Sequence, residues 1–293
     1  MLNKHAQRLF VFGCSFTKYR WAMYGELLAH ELKVPFYNYG MPMSGNSYIF
    51  NMLVQANQIY KFNKDDLVIV QWSTIEREDR YINNHISCPD GWFHAGAIHT
   101  MFTDLFDEHF IQNCDNAVHY MMSTFAMIQA ADAILTATGS QFEMLQMPDL
   151  SEQFFIGVDP DEDKENAIRL VALYKNVLNK INPGFYEVLW NSKFHCENKI
   201  ASIKKIHKQC NDLHPLPHEN AIYVNTIFDN ILSDKTIKLA ENTSKEIIDY
   251  RWYDQYIGKQ RMVREELLDK YDINFCTLSD KMVISTRDNV IKN

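Results

Sequence analysis

Three short stretches hold the residues whose types and spacing could do chemistry. Gly13-Cys14-Ser15-Phe16-Thr17 sets a serine directly behind an apolar run. A serine hydroxyl is a weak nucleophile at its free pKa and needs a positioned base, usually His, to take its proton. Of the 11 histidines, His214 stands apart because it lies in Asp212-Leu213-His214-Pro215. There a carboxylate is close enough to orient the imidazole, and the proline ends the preceding element. The third stretch is Asn38-Tyr39-Gly40-Met41-Pro42-Met43-Ser44-Gly45-Asn46. A glycine at such a site lets a backbone N–H reach a ligand, and the start of a following helix favours developing negative charge. A nucleophile, a base with its orienting acid and an oxyanion donor make up the apparatus of acyl transfer. Singly, each stretch is also an ordinary turn or loop. Their order along the chain, and where they fall relative to the strands, carry the reading.

The elements that must position them follow from periodicity. Arg8 to Cys14 reads as a buried strand stopping at a tight turn, and Trp21 to Leu32 has helical spacing. Val34 to Tyr39 reads as a second strand, Gly45 to Tyr60 as a helix, and Asp66 to Trp72 as a third, fully buried strand. This alternation predicts a parallel sheet covered by helices, with every strand's C-terminal end on one edge, where ligands bind in such folds. Ser15 and Gly45 both fall at that edge. Asn116 to Thr138 reads as a helix, Gln141 to Gln146 as a fourth strand and Phe185 to Trp190 as a fifth. Glu197 to Cys210, Pro217 to Leu232, Lys235 to Ile248 and Tyr253 to Lys270 read as helices. The expected fold is a three-layer α/β/α sandwich around a mostly parallel five-stranded sheet. It spans residues 1–232, with insertions at about 73–115 and 150–196, and residues 233–293 form a helical C-terminal extension.

Bulk properties narrow the function. At 293 residues, 46% hydrophobic and 23% charged, the chain has the composition of a folded globular protein. A formal net charge of -8 and the absence of a basic run beyond Lys204-Lys205 argue against nucleic acid as a partner. No apolar stretch approaches the roughly 18 to 20 residues of a membrane helix, and no signal sequence leads the chain. A cytoplasmic product at synthesis, carried on a particle such as a virion in one alternative, is the expectation. Cys14, Cys88, Cys114, Cys196, Cys210 and Cys276 form no Cys-x-x-Cys pair and read as free thiols. His207, Cys210, His214 and His218 are close enough in sequence for a metal, but their spacing fits no standard site, and no metal or organic cofactor is expected. Asp159 to Glu165 reads as a solvated acidic stretch rather than a cation site.

In this order the stretches resemble the signature blocks of the SGNH, or GDSL-type, hydrolases. Gly13-Cys14-Ser15 resembles their Gly-Asp-Ser block with Cys14 in place of Asp, Gly45 resembles the oxyanion-hole glycine, and Asp212, His214 and Pro215 resemble the final Asp-x-x-His-Pro block. The resemblance covers about residues 8 to 225 and implies the flavodoxin-like sandwich inferred above. It also implies Ser15 as nucleophile rather than Cys14, His214 as base, Asp212 as its orienting acid, and a small acyl ester or acylated glycan as substrate. Two departures stand out. Where the family's third block carries an oxyanion-donating Asn, the segment Gln71-Trp72-Ser73-Thr74-Ile75-Glu76-Arg77 brings Ile75, and losing one such donor costs about 100 to 1000-fold in turnover. Asn46, Ser73, Thr74 and Arg77 are the candidates to replace it, and phage-encoded members of the superfamily look similar here. Arg77 reads either as a binder of a substrate anion or as a partner of Glu76 or Asp79. The acid, too, stands two residues before His214 instead of three, where Asn211 takes the usual place. The reading adopts Asp212 through a local shift of the loop, ahead of a Ser-His dyad. Trp72, Tyr81 and Trp92-Phe93-His94 read either as a sugar-stacking surface or as apolar packing. The rival functions are a catalytically inactive protein of the same fold with a structural or glycan-binding role, and a phosphate-binding protein of flavodoxin-like topology.

Overall fold

A computed structural model describes residues 2, 5–81, 92–97, 109–110, 113, 116–152, 161–191, 214–249 and 268–278. Four strands form a parallel sheet: β1 (Arg8–Gly13), β2 (Phe36–Gly40), β3 (Asp66–Trp72) and, later in the chain, β6 (Gln141–Gln146). Their order across the sheet is β2-β1-β3-β6. Between β3 and β6, strands β4 (Arg77–Tyr81) and β5 (Trp92–Ala97) pair antiparallel as a separate hairpin.

Side chains alternate across the central strands, which explains why their sequences read as unbroken apolar runs. Leu9, Val11, Leu67 and Ile69 enter one core, and Phe10, Phe12, Val68, Val70 and Trp72 enter the other. The first core is covered by α1 (Tyr24–Leu32), α5 (Phe185–Trp190), α6 (Pro217–Ile227) and α7 (Asp234–Asp249). The second is covered by α2 (Asn46–Tyr60), α3 (Ala117–Thr138) and α4 (Asp161–Leu178). The result is the expected three-layer sandwich. Because α1 and α2 take opposite faces while β2 and β3 flank β1 on opposite sides, the chain diverges at the C-terminal end of β1. That divergence opens a crevice, the usual ligand position in open α/β sheets.

Among the described residues the sheet has four strands, not the expected five. Beyond β6, a fifth strand shrinks to one bridge between Met144 and Ile181, joined by a hydrogen bond from the Asn182 N–H to the Met144 carbonyl (2.9 Å). Pro183 follows, has no N–H to continue the ladder, and ends the pairing. Phe185–Trp190, read from sequence as that strand, is helical, with Gly184 at its N-cap and Phe185 and Trp190 buried. Five apolar and aromatic residues around Glu187 suit either state, and the Pro-Gly lead decides for the helix. At the opposite edge, Phe275 bridges Phe36 of β2, the Phe36 N–H donating to Asn274 and the Cys276 N–H to Phe36. Each edge strand is thereby paired at one residue, Phe36 on β2 and Met144 on β6. Tyr271 and Ala240, both fully buried, belong to the first core, and α7 packs on α6 and α1. Glu197–Cys210 and residues 253–267 of the last expected helix lie outside the described residues. No helix among the described residues is long and apolar enough to cross a membrane.

Candidate active site

Ser15 lies immediately beyond β1, at the divergence point. The Thr17 and Lys18 N–H groups donate to the Cys14 carbonyl (2.9 and 3.1 Å), so the chain turns within one helical turn of the strand. Gly13 has to be glycine: a Cβ there would collide with the Thr17 hydroxyl and lie 2.8 Å from Gln71 Oε1. Gln71, fully buried in β3, cradles this turn. Its Oε1 accepts from the Thr17 hydroxyl (3.1 Å) and the Cys14 N–H (3.5 Å), and its amide nitrogen donates to the Trp72 carbonyl (2.7 Å). Beneath it, Asn38 Nδ2 donates to Glu26 Oε1 (3.0 Å) and to the Thr17 carbonyl (3.3 Å), while Glu26 accepts from the Met23 N–H (3.0 Å). Thr17 also bonds the Tyr24 hydroxyl (3.0 Å), and burial pushes that phenol's pKa far above its ordinary value. Interlocked buried hydrogen bonds of this kind fix one conformation, because any partner lost leaves a desolvated polar group. Gln71 and Glu26 are not among the site residues expected from the sequence, and Asn38, which opens the third stretch, has no role assigned there. A lone Gln in the apolar run DLVIVQW was the signal for the first of them.

His214 arrives at the same place from the far end of the chain. Its ring stacks on Tyr19 (centroids 3.7 Å apart, planes 15° apart) and lies 5.5 Å from the ring of Phe16, the residue after Ser15. The loop carrying it is pinned by two side chains. Trp21 Nε1 donates to the Pro215 carbonyl (2.8 Å), a contact between residues 194 apart in sequence, and Asn220 Nδ2 donates to the same carbonyl (2.9 Å). Asp212 lies outside the described residues, as do His207 and Cys210. Glu187 on α5 also neighbours this end of the sheet, since Phe185 and Tyr186 pack edge-on against Phe16. Burial pushes the Glu187 carboxyl up to about 7, opposed by the Asp149 N–H that it accepts at 3.0 Å.

The third stretch is held from β4. Arg77 Nη1 donates to the Ser44 carbonyl (3.1 Å), and the Gly45 N–H donates to both oxygens of Asp79 (2.9 and 3.0 Å). One peptide unit is thus gripped at both ends by residues of one strand. The Asp79 carboxylate also accepts from the Tyr48 N–H (2.9 Å), capping the otherwise unsatisfied first turn of α2 from outside the helix. A Cβ on Gly45 would come within 2.7 Å of the Arg77 carbonyl, which explains the glycine. Asn46 Nδ2 donates to the Ser73 carbonyl (3.2 Å), the Thr74 carbonyl (3.4 Å) and the Thr124 hydroxyl (3.2 Å), and its Oδ1 accepts from the Ser73 N–H (2.8 Å). Gly45 and Asn46 are therefore committed to internal partners. The Ser73 hydroxyl is different: it is fully buried and has no hydrogen-bond partner among the described residues. Arg77 pairs with neither Glu76 nor Asp79 among the described residues, while Ile75 is buried in the second core. Trp72 is fully buried in that core, so it packs and does not face a ligand; Tyr81 is exposed.

No protein-family profile matches the chain, and no curated protein does. Among solved structures, the chain is similar to a G-D-S-L family protein from Desulfitobacterium hafniense DCB-2, at 12% identity and a TM-score of 0.34, over 66% of this chain and 82% of that one. It is also similar to a member of the lipolytic protein G-D-S-L family from Veillonella parvula DSM 2008, at 11% identity and a TM-score of 0.32, over 70% of this chain and all of that one. At such low scores neither likeness adds to what the strand order and the site geometry establish.

Proposed function

We propose that the chain is a serine-dependent ester hydrolase. The observation that carries this reading is the docking of His214 against Phe16, within the turn that presents Ser15, and against Tyr19, just after it. In the proposed reaction Ser15 Oγ attacks the acyl carbon and His214 takes its proton, then delivers it to the departing alcohol. Water, deprotonated by the same imidazole, then attacks the acyl-serine, and the acid product and free Ser15 are restored. Asp212 orients the imidazole. The Ser15 N–H is one donor to the oxyanion. The Gly45 N–H can serve as a second only if the Asp79 carboxylate gives way, whereas the Ser73 hydroxyl needs no bond broken first. The substrate class is a small acyl ester, an acylated glycan being the case the sequence resemblance suggests, and the reaction so written requires no cofactor.

A second reading, a protein of this fold that binds without turning over, is favoured by one observation: Gly45 and Asn46 are both engaged internally. Hydrolysis of a panel of short-chain nitrophenyl esters and acetylated sugars separates the two. The hydrolase reading expects turnover that falls at least about 1000-fold in Ser15→Ala and comparably in His214→Ala. No turnover by the native chain supports the binding reading, and turnover unchanged in both variants contradicts Ser15 and His214 as the catalytic pair. A pH profile alone does not assign the base, since burial pushes the Glu187 carboxyl up to about 7.

A further inference from the structure

Between the start of α2, strand β4 and the first turns of α3 lies a cavity of about 220 Å³. Its wall includes Ser47, Arg77, Glu78, Arg80, His119 and Ser123. Among the charged groups there, the Asp79 carboxylate is spent on the Gly45 and Tyr48 amides, and Glu78 is paired with Arg80 (2.5 Å). Arg77 has no salt bridge among the described residues. It is half-buried, its one hydrogen bond among the described residues goes to the Ser44 carbonyl, and it has no carboxylate partner there. A guanidinium carries five N–H donors, and one held away from water is ordinarily matched by an anion. The Ser47 and Ser123 hydroxyls stand in the same wall, also without a hydrogen bond among the described residues. The cavity adjoins the first turns of α2 and α3, whose N-terminal amides are already partly capped, by Asp79 on α2 and by the Asn116 side chain at the His119 N–H on α3.

We propose that this cavity is an oxyanion subsite, in which Arg77, with Ser47, Ser123 and His119, takes a carboxylate or phosphate group carried by the substrate. The cavity is smaller than the roughly 300–1,000 Å³ of sites that enclose whole ligands, so it takes one such group and leaves the rest of the molecule outside. Asn46 and Arg77 connect it to the Ser44-Gly45 turn, on the side of the sheet edge where Ser15 lies. Its place in catalysis rests on the ester hydrolase reading; the binding itself does not.

Thermal unfolding in sodium acetate and in sodium phosphate, each against sodium chloride at equal ionic strength, tests the proposal on the full chain. A saturable rise in Tm of about 3 °C at ten times Kd is expected with at least one of the two anions, in the native chain and equally in Ser15→Ala. A rise with phosphate alone assigns a phosphoryl group, and one with acetate alone a carboxylate. Arg77→Gln removes the charge, and Ser123→Leu fills the space while leaving the Arg77 contact to Ser44 intact; both are expected to abolish the rise. No rise in the native chain, or an undiminished rise in either variant, overturns the subsite. Because the readout needs no turnover, an inactive chain that still binds the anion contradicts only the hydrolase reading.

Discussion

Ser15 is presented by a turn that is built from other residues' side chains, and Gln71 is the hub of that construction. One buried amide serves the Cys14 N–H, the Thr17 hydroxyl and the Trp72 carbonyl at once. Gln71→Leu keeps the volume and strands those groups, so we expect a loss of about 1–3 kcal/mol in urea unfolding. A variant as stable as the native chain would show that the amide does not hold the turn. At this scale much of the site was readable. Gly13, Ser15 and Gly45 each announce a turn or a catalytic type and lie at the sheet end that their positions after β1 and β2 imply, whereas His214 reaches Phe16 and Tyr19 without the fifth strand expected before it. The network beneath them was not readable, because nothing in a sequence says which buried polar residues face one another. Asn38 and Glu26 meet only because β2 pairs beside β1 and α1 covers the sheet face that Phe36 and Asn38 share.

Among the elements, β4 does the least expected work. Its pattern, Arg-Glu-Asp-Arg-Tyr, is too polar for a core strand and reads as part of a long insertion, yet it caps α2 through Asp79 and grips the Ser44-Gly45 peptide. The capping carboxylate sits 34 residues from Gly45 and 31 from Tyr48, so no local capping pattern could have revealed it. Asp79→Ala is expected to cost about 1–2 kcal/mol of stability and, on the hydrolase reading, to change turnover by altering the Gly45 turn; chemical denaturation and ester kinetics on the same preparation check both. Unchanged stability would mean that α2 does not need the cap. Phe185–Trp190 shows the converse failure. Five of its six residues are apolar or aromatic, but so short a segment has too few periods to separate strand from helix, and the preceding Pro183-Gly184 decides.

Taken whole, the molecule closes its sheet at both edges with single bridges and uses its C-terminal residues as core. The sequence shows a helix at Lys235 to Ile248 but carries no sign of what that helix docks on. Burial supplies the answer: Ala240, Leu268 and Tyr271 share a cluster with Leu9, Val11 and Leu67 of the central strands. Tyr271→Ala is therefore expected to cost about 3–5 kcal/mol, the range for emptying a large aromatic from a core, and to lower Tm for the whole chain in one transition. A second, separate transition in calorimetry would indicate instead that the C-terminal residues fold as an appendage.

The central claim is that Ser15 is an activated nucleophile with His214 as its base, and labelling with a fluorophosphonate, read by intact mass and peptide mapping, tests it most directly. One adduct at Ser15 is predicted for the native chain, with none in Ser15→Ala and labelling at least about 1000-fold slower in His214→Ala. No adduct at any pH from about 6 to 9, or equal labelling in the His214 variant, would contradict the account.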